Sequence, residues 1–317
     1  MKSMNNKHIY QQIIHLLPPM IYMDIGSRAI KHNHFVKTFP HSQYIGFELD
    51  IEECKRLSAL DFKRHRFYPK AIGRDRETRT LYVTRNPACS SLYEPNVREM
   101  RRFLECGSFF EVLERKTVET VGLDAWYQDA DLPGADFLEL DTQGSELDIL
   151  QGCKHLLATS ILGLQVEVEF YPVYNDQPLF SDIDNYLRPL DYYLFDLSRY
   201  RLRRAYLKTR GQLLWGHAFY LKNVHQMNDW QPAQYLSLAA ISSYYGFEDY
   251  ALEILETILE KKIYSVQSEP WKKIQNILDL CSDRFSKLSK SGFQRLRKKP
   301  FAWIVPSKKD RGYFIKD

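Results

Sequence analysis

ADFLELDTQGSELDILQGCKHLL, residues 135–157, is an apolar run that meets an acid, a glycine and a second acid and then takes up a helical spacing. Phe137, Leu138 and Leu140 read as a buried strand. Apolar residues at 147, 149, 150, 153, 156 and 157 repeat along one helical face. Gly152 lowers helix propensity within that span without forbidding it. Acids are seldom kept inside a fold without a partner, so DTQGSE at 141–146 reads as a strand-to-helix turn, an edge of a working site, or both.

The same unit recurs along the chain. A short helix over 7–17 stops before Pro18-Pro19. MIYMDIGS (20–27) is a strand running into Asp24 and Gly26, and QYIGFELD (43–50) is a second, ending in Glu48 and Asp50. Helices are expected between them over 29–39 and again over 51–60, where Ile51, Cys54, Leu57 and Leu60 share a face. RFYPKAIG (66–73) reads as a third strand. Residues 73–120 hold a strand TLYVT, a loop NPACSSLYEPN, a polar helical segment and the strand-like KTVETVGL. Beyond 157 come a strand ILGLQVEVEF, a helix over 179–190, and two strands, YYLFDL and LLWGHAFYLK, with no helix between them.

Strands alternating with helices imply right-handed crossovers and a mostly parallel sheet. The last two strands form an antiparallel pair at one edge. A seven-stranded, Rossmann-like α/β sheet that closes this way is the layout of the class I methyltransferase fold. That domain is expected over 1–222, a helical extension over 223–283 and a basic, aromatic tail over 284–317. In the extension, AQYLSLAAISSYYG and FEDYALEILETILEKK resemble one tetratricopeptide-type hairpin. Such repeats need several copies to stand alone, so the reading is two helices packed on the main domain, followed by a third near 270–282.

The 317 residues are 44% hydrophobic and 26% charged, as in a folded globular protein. No 18-residue apolar run is present for a membrane span, and MKSMNNKHIYQQIIHLLPP lacks the long apolar stretch of a secretory signal. Five scattered cysteines with no CxxC pair indicate neither a zinc ribbon nor a disulfide framework, and suit a reducing cytoplasm. The net charge of +4 hides an asymmetry: residues 284–317 hold eleven Lys or Arg against two Asp. Interleaved with Phe301, Trp303, Ile304 and Phe314, those charges suit an anionic membrane surface or an acidic polymer, and equally a segment lying over the main domain. A peripheral place on the inner face of a membrane is compatible with this. SRYRLRRAYLKTR (198–210) carries six basic residues and no acid, and reads as a solvated loop or as a docking strip for an anionic acceptor. Nothing resembles an RNP motif or zinc-finger spacing, so no nucleic-acid partner is expected.

In a doubly wound sheet, ligands bind beyond the carboxyl ends of the strands. Asp24-Ile25-Gly26-Ser27 ends the first strand, Glu48 the second and Asp141 the fourth. Gly26 lets backbone approach a ligand, and a carboxylate at Glu48 can take both hydroxyls of a ribose. Strand-end acids also cap helices, so this pattern alone leaves both readings open.

IGFELDIEECKRL (45–57), SSL (90–92), VGLDAW (121–126), DTQGSELDILQG (141–152) and EVEFYPVYNDQPLF (167–180) follow in an order that resembles the FkbM-type family of S-adenosylmethionine-dependent methyltransferases. The likeness spans roughly 20–222. It implies methyl transfer from S-adenosylmethionine, usually to a hydroxyl of a sugar or other natural product, with a glycan or lipid-linked sugar as acceptor. It implies that Asp24, Gly26 and Ser27 form the cofactor loop, that Glu48 holds the ribose, that Ala71 and Ile72 lie near the adenine, and that Asp141 stands by the methionine end or the acceptor. Gln143, Gly144 and Glu146 shape the turn. Glu167 matches the family's glutamate after the fifth strand, and Glu169 is an extra. Ser90, Ser91, Tyr174, Gln177 and His217 fall on the acceptor side. His217 stands where the family carries an acid, and also suits a plain hydrogen-bonded position at a sheet edge. The first loop, Ser27-Arg28-Ala29-Ile30, is poorer in glycine than in the family, which narrows a cofactor pocket. A fold retained as a binding or scaffold protein without turnover is the rival reading. A nicotinamide enzyme is disfavoured by the missing GxGxxG turn.

An alcohol nucleophile needs a base or a metal. Asp141 is the first candidate base and Glu167 the second. No metal is assigned, although the two acids could share a hard divalent cation through oxygen ligands if they face one gap.

Overall fold

Short runs of β-branched, aromatic and leucine side chains make the inner strands of the central sheet, which are covered on both faces. The computed structural model describes residues 8–27, 33–60, 64–104, 106–130, 132 and 134–281. The basic tail and residues 28–30 of the first loop lie outside the described residues.

The strands are β1 (Ile21–Ile25), β2 (Gln43–Phe47), β3 (His65–Tyr68), β4 (Ala71–Gly73), β5 (Glu77–Thr84), β6 (Val112–Gly122), β7 (Phe137–Leu140), β8 (Gly163–Glu169), β9 (Tyr192–Leu197), β10 (Tyr200–Leu202) and β11 (Gln212–Lys222). The helices are α1 (Ile9–Ile13), α2 (Asn33–Thr38), α3 (Ile51–Ser58), α4 (Val97–Met100), α5 (Leu123–Ala130), α6 (Glu146–Gln151), α7 (Lys154–Thr159), α8 (Phe180–Leu187), α9 (Pro232–Tyr244) and α10 (Glu248–Glu260). A further helical run occupies 269–281.

The main sheet runs β10-β11-β8-β7-β1-β2-β3, with β9 also paired to β11. β3, β2, β1, β7 and β8 are parallel, and β11 is antiparallel to β8. This is the expected class I methyltransferase layout with three corrections, the first being that the sheet has eight strands, not seven. The basic hairpin contributes β10, which pairs with the start of β11. A second correction concerns RFYPKAIG, which is two strands in separate sheets. Pro69 has no amide to donate, and the Lys70 amide turns back to the Tyr68 carbonyl at 2.9 Å. β4 then leaves for a three-stranded sheet, β4-β6-β5. A third concerns the helix after DTQGSE, which splits into α6 and α7 at Gly152. A Cβ on Gly152 would stand 2.3 Å from the Gly73 carbonyl oxygen, so the smaller sheet reaches this backbone only because the side chain is missing.

One face of the sheet carries Met23, Ile25, Ile45, Phe47, Leu138, Leu140, Leu164, Val166 and Val168. They pack in one apolar cluster with Trp126 of α5, Ile149 of α6, Leu157 of α7 and Ile183 of α8. The alternate residues build a different layer. Tyr22 stacks on Tyr44 and Phe137 and meets Phe35 of α2. Polar pairs lie within it: Tyr22 donates its hydroxyl to Glu139 at 2.8 Å, and the Gln165 amide donates to the same carboxylate at 3.1 Å. At the start of α3 the Asp50 carboxylate accepts the Glu52 and Glu53 amides.

The chain divides into two compact units, one of 17–238 and one combining the described parts of 1–16 and 239–317. In the second, α1 joins the C-terminal helices: the Tyr10 amide donates to Ser243 Oγ at 3.0 Å. None of the five cysteines forms a disulfide among the described residues. Among the described residues no helix is long and apolar enough to cross a membrane.

Candidate active site

Register builds the crevice. Ile25 of β1 pairs with Phe47 on one side and Leu140 on the other. Glu48 and Asp141, each one residue further on, therefore flank the end of β1 at one level. Their backbones are separated by two strand spacings, ~10 Å. The loop is tied to both neighbours: the Gly26 and Ser27 amides donate to the Phe47 carbonyl at 3.0 and 3.1 Å, and the Asp141 amide donates to the Ile25 carbonyl at 3.1 Å. Gly26 has φ +95°, and a Cβ there would lie 2.1 Å from the Asp141 carbonyl oxygen. Strand order departs in both directions from β1, so this is the topological switch point of the sheet.

Asp24 is buried beneath the loop and accepts the Tyr44 hydroxyl. Burial, then the Asp24 charge, hold the Tyr44 phenol well above its ordinary range. Ser27 Oγ is buried with no hydrogen-bond partner among the described residues. Glu48 accepts the Asp50 amide at 2.8 Å. Ala71 and Ile72 lie on β4 opposite Thr120 and Val121, and Ile72 also joins the apolar cluster around Ile25 and Ile149.

The turn after β7 is clamped from both ends. Glu146 Oε1 accepts the Thr142 amide at 2.7 Å and the Thr142 hydroxyl at 2.9 Å, and its Oε2 accepts the Gly144 amide at 2.9 Å. Gln143 and Gly144 both have positive φ, 62° and 108°. This turns the Gln143 side chain across the strand ends. Its Nε2 donates to Asp141 Oδ1 at 3.0 Å and to Glu167 Oε2 at 2.5 Å, while its Oε1 accepts the Tyr174 hydroxyl at 3.0 Å. Ser91 Oγ donates to the Gln143 carbonyl at 2.6 Å.

Asp141, Glu167 and His217 converge, each offering a ligand atom within 4.8 Å of the others. His217 stands opposite Glu167 in the antiparallel β8–β11 register, and its Nδ1 lies 3.4 Å from Ser198 Oγ. Burial, then the charges of Asp141, Glu169 and Glu146, push the Glu167 carboxyl well above the ordinary carboxylate range. Burial, then Glu146 and Asp141, do the same to Glu169. Burial raises Glu146 to about 7. A protein interior tolerates such a group of acids only with protons or a cation among them.

Of the acceptor-side residues expected from sequence, Ser91, Tyr174 and Gln177 brace this turn. Tyr174 is fully buried, and its amide donates to Gln177 Oε1 at 2.5 Å. Ser90 serves its own loop, accepting the Thr84 amide at 3.1 Å. The sequence reading missed Gln143 as the link between the acids, because a glutamine ahead of a glycine reads as an ordinary turn residue. It also passed over Glu169 as an extra, although that residue is 2% exposed within the acid group. The parity of β11 against β8 would have exposed the His217–Glu167 pairing had the register been known.

Residues 24–194 match the methyltransferase FkbM domain. The 2-O-methyltransferase NoeI of Sinorhizobium fredii (strain NBRC 101917 / NGR234) is 27% identical over 190 residues, which cover 57% of this chain and 74% of the relative. Among solved structures, the methyltransferase FkbM of Methylobacillus flagellatus KT aligns with TM-score 0.37 and 13% identity. That alignment covers 64% of this chain and 43% of the other, so the likeness spans less than half of that protein. Magnesium protoporphyrin IX methyltransferase of Synechocystis PCC 6803, with bound SAM, aligns with TM-score 0.35 and 10% identity over 68% of this chain and 78% of the other.

Proposed function

This chain belongs to the FkbM methyltransferase family, and from that premise we propose that it moves a methyl group from S-adenosylmethionine to oxygen, at a sugar hydroxyl of a glycan or related natural product. The observation that carries the reading is the alignment of Glu48, Gly26 and Asp141 at the ends of three adjacent strands, with Glu167 and His217 beside them. Glu48 offers a carboxylate to a ribose diol, and Gly26 leaves room for the cofactor against the backbone. Similarity to a 2-O-methyltransferase supports oxygen as the atom that accepts the methyl group.

In the transfer, the acceptor O–H gives its proton to a carboxylate. The oxygen's electron pair forms the bond to the methyl carbon, and the C–S bond breaks with its pair passing to sulfur, leaving S-adenosylhomocysteine. Holding the oxygen in line with that bond is the larger part of the task. Asp141 is the first candidate base. Glu167 is the weaker one, since burial and its neighbours favour its protonated form. The exposed Arg199, Arg201, Lys208 and Arg210 suit guidance of an anionic acceptor. A membrane or acidic-polymer contact through 284–317 lies outside the described residues.

Calorimetry with S-adenosylhomocysteine tests the cofactor half, and its absence of binding in folded protein favours a scaffold without turnover. Mass spectrometry of glycans from cells with and without the protein tests the acceptor half, where a shift of one methyl mass is expected. Asp141→Asn should retain cofactor binding and lose turnover by about 100-fold or more. Undiminished turnover removes Asp141 from the chemistry.

A further inference from the structure

The ligand atoms of Asp141, Glu167 and His217 lie within 4.8 Å of one another. Three points so spaced share a centre within about 2.8 Å of each (4.8 Å divided by √3), near the roughly 2.0–2.6 Å reach of common metal–ligand bonds. The geometry points to a divalent-cation site formed by Asp141, Glu167 and His217, suited to a first-row ion of the Mn2+ to Zn2+ group.

Three independent features point to a cation. Asp141 and Glu167 present carboxylate oxygens within 4.8 Å of each other and of a His217 ring nitrogen, a spacing that brings like charges together beside an imidazole. Gln143 Nε2 donates to both, to Asp141 Oδ1 at 3.0 Å and to Glu167 Oε2 at 2.5 Å, and as a neutral amide it brings the two acids together without supplying a compensating charge. Next, Glu169 lies one pleat beyond Glu167 on the same face of β8 and is 2% exposed. Its Oε2 has no hydrogen-bond partner among the described residues. The third feature is the imidazole. The His217 amide donates to Ser198 Oγ at 2.8 Å while that oxygen lies 3.4 Å from Nδ1, which fixes the ring as ligand-bearing histidines usually are fixed. One imidazole with two carboxylates favours Mn2+, Fe2+, Co2+ or Zn2+ over Ca2+, which prefers all-oxygen sites.

The role of the cation rests on the methyl-transfer reading. With three protein ligands, open positions remain for an acceptor oxygen, whose proton would then pass more readily to the carboxylate base, the oxygen of Asp141 that the cation leaves uncoordinated. The binding itself does not depend on that reading, and it is measured without acceptor or S-adenosylmethionine.

The test uses the full chain and Mn2+ followed by electron paramagnetic resonance. One ion per chain is expected. Asp141→Asn, Glu167→Gln and His217→Gln should each weaken binding by about tenfold or more. Mn2+ should also raise the unfolding temperature of the unmodified protein, a readout that needs no variant. Absence of bound Mn2+ at millimolar concentration overturns the site, as does binding that survives unchanged in all three variants. Either result leaves methyl transfer standing, and a chain that binds Mn2+ but transfers no methyl group overturns the function and not the site.

Discussion

Gln143 holds a backbone conformation that a non-glycine residue adopts at a cost of ~1–3 kcal/mol, so its surroundings must fix it. They do: Ser91 takes its carbonyl, Tyr174 its amide oxygen, and Asp141 and Glu167 its amide nitrogen. Gln143→Leu keeps the bulk and removes the amide that orients both acids. Methyl transfer should fall by about tenfold or more while S-adenosylhomocysteine binding is unchanged, which kinetics and calorimetry separate. Equal losses in both would place Gln143 in the cofactor site instead. Glu146 is the other half of the device, since it accepts two backbone amides in a buried turn. Glu146→Ala leaves both without partners, and denaturant unfolding should register a loss of about 3 kcal/mol. Glu146→Gln keeps one acceptor oxygen and should recover roughly half of that. An alanine variant as stable as the parent would mean that water replaces the clamp.

Strand ends, not helices, set the site, and Gly26 is where two of them touch. Gly26 and Gly246 share a positive φ, +95° and +92°, but a Cβ meets the Asp141 carbonyl oxygen in one case and nothing within 4 Å in the other. Gly246→Ala should therefore cost only the backbone term, about 1–2 kcal/mol. Gly26→Ala must also push apart the ends of β1 and β7, and should abolish S-adenosylhomocysteine binding as well as lower stability further. Thermal unfolding of the pair makes the comparison, and equal losses would show that the loop end yields freely. The crevice was legible at this scale because apolar runs ending in Asp24, Glu48 and Asp141 mark strand ends whatever their partners. The break at Gly152 and the departure of β4 were not, since both depend on a contact between segments some 80 positions apart in the chain. Nor was β10, whose three residues, Tyr200–Leu202, lie in a run that reads as basic loop and pair only because β11 stands beside them.

Across the whole molecule, charges sort by depth: the basic hairpin is exposed, and several acids lie inside. Buried acids make stability depend on pH, and Asp136 gives a case away from the active site. Its Oδ2 accepts the Ile21 amide at 2.8 Å, and its carbonyl accepts the Leu162 amide at 2.8 Å, which ties the starts of β1, β7 and β8 together. Desolvation raises its carboxyl from 3.8 to about 7, opposed in part by the Ile21 hydrogen bond. The folded state therefore binds this proton more tightly than the unfolded one. The associated stability is fully present below pH 3.8 and is lost as pH rises through about 7. The group contributes in the same direction as Glu146, Glu167 and Glu169, so only a difference isolates it. Lys222, lowered to about 8 by burial, acts with the opposite sign at higher pH, where stability rises as it loses its proton. Asp136→Asn keeps an oxygen for the Ile21 amide and removes the charge. At pH 7.5 the variant should be the more stable by about 2 kcal/mol, a figure reduced for the surface that residue 136 leaves exposed. The advantage should shrink steadily to pH 4, as the parent's carboxyl takes up its proton. Unfolding curves for both proteins at five or so pH values between 4 and 7.5 decide it, and a difference that stays constant with pH would mean that Asp136 ionises in the fold as freely as it does in water.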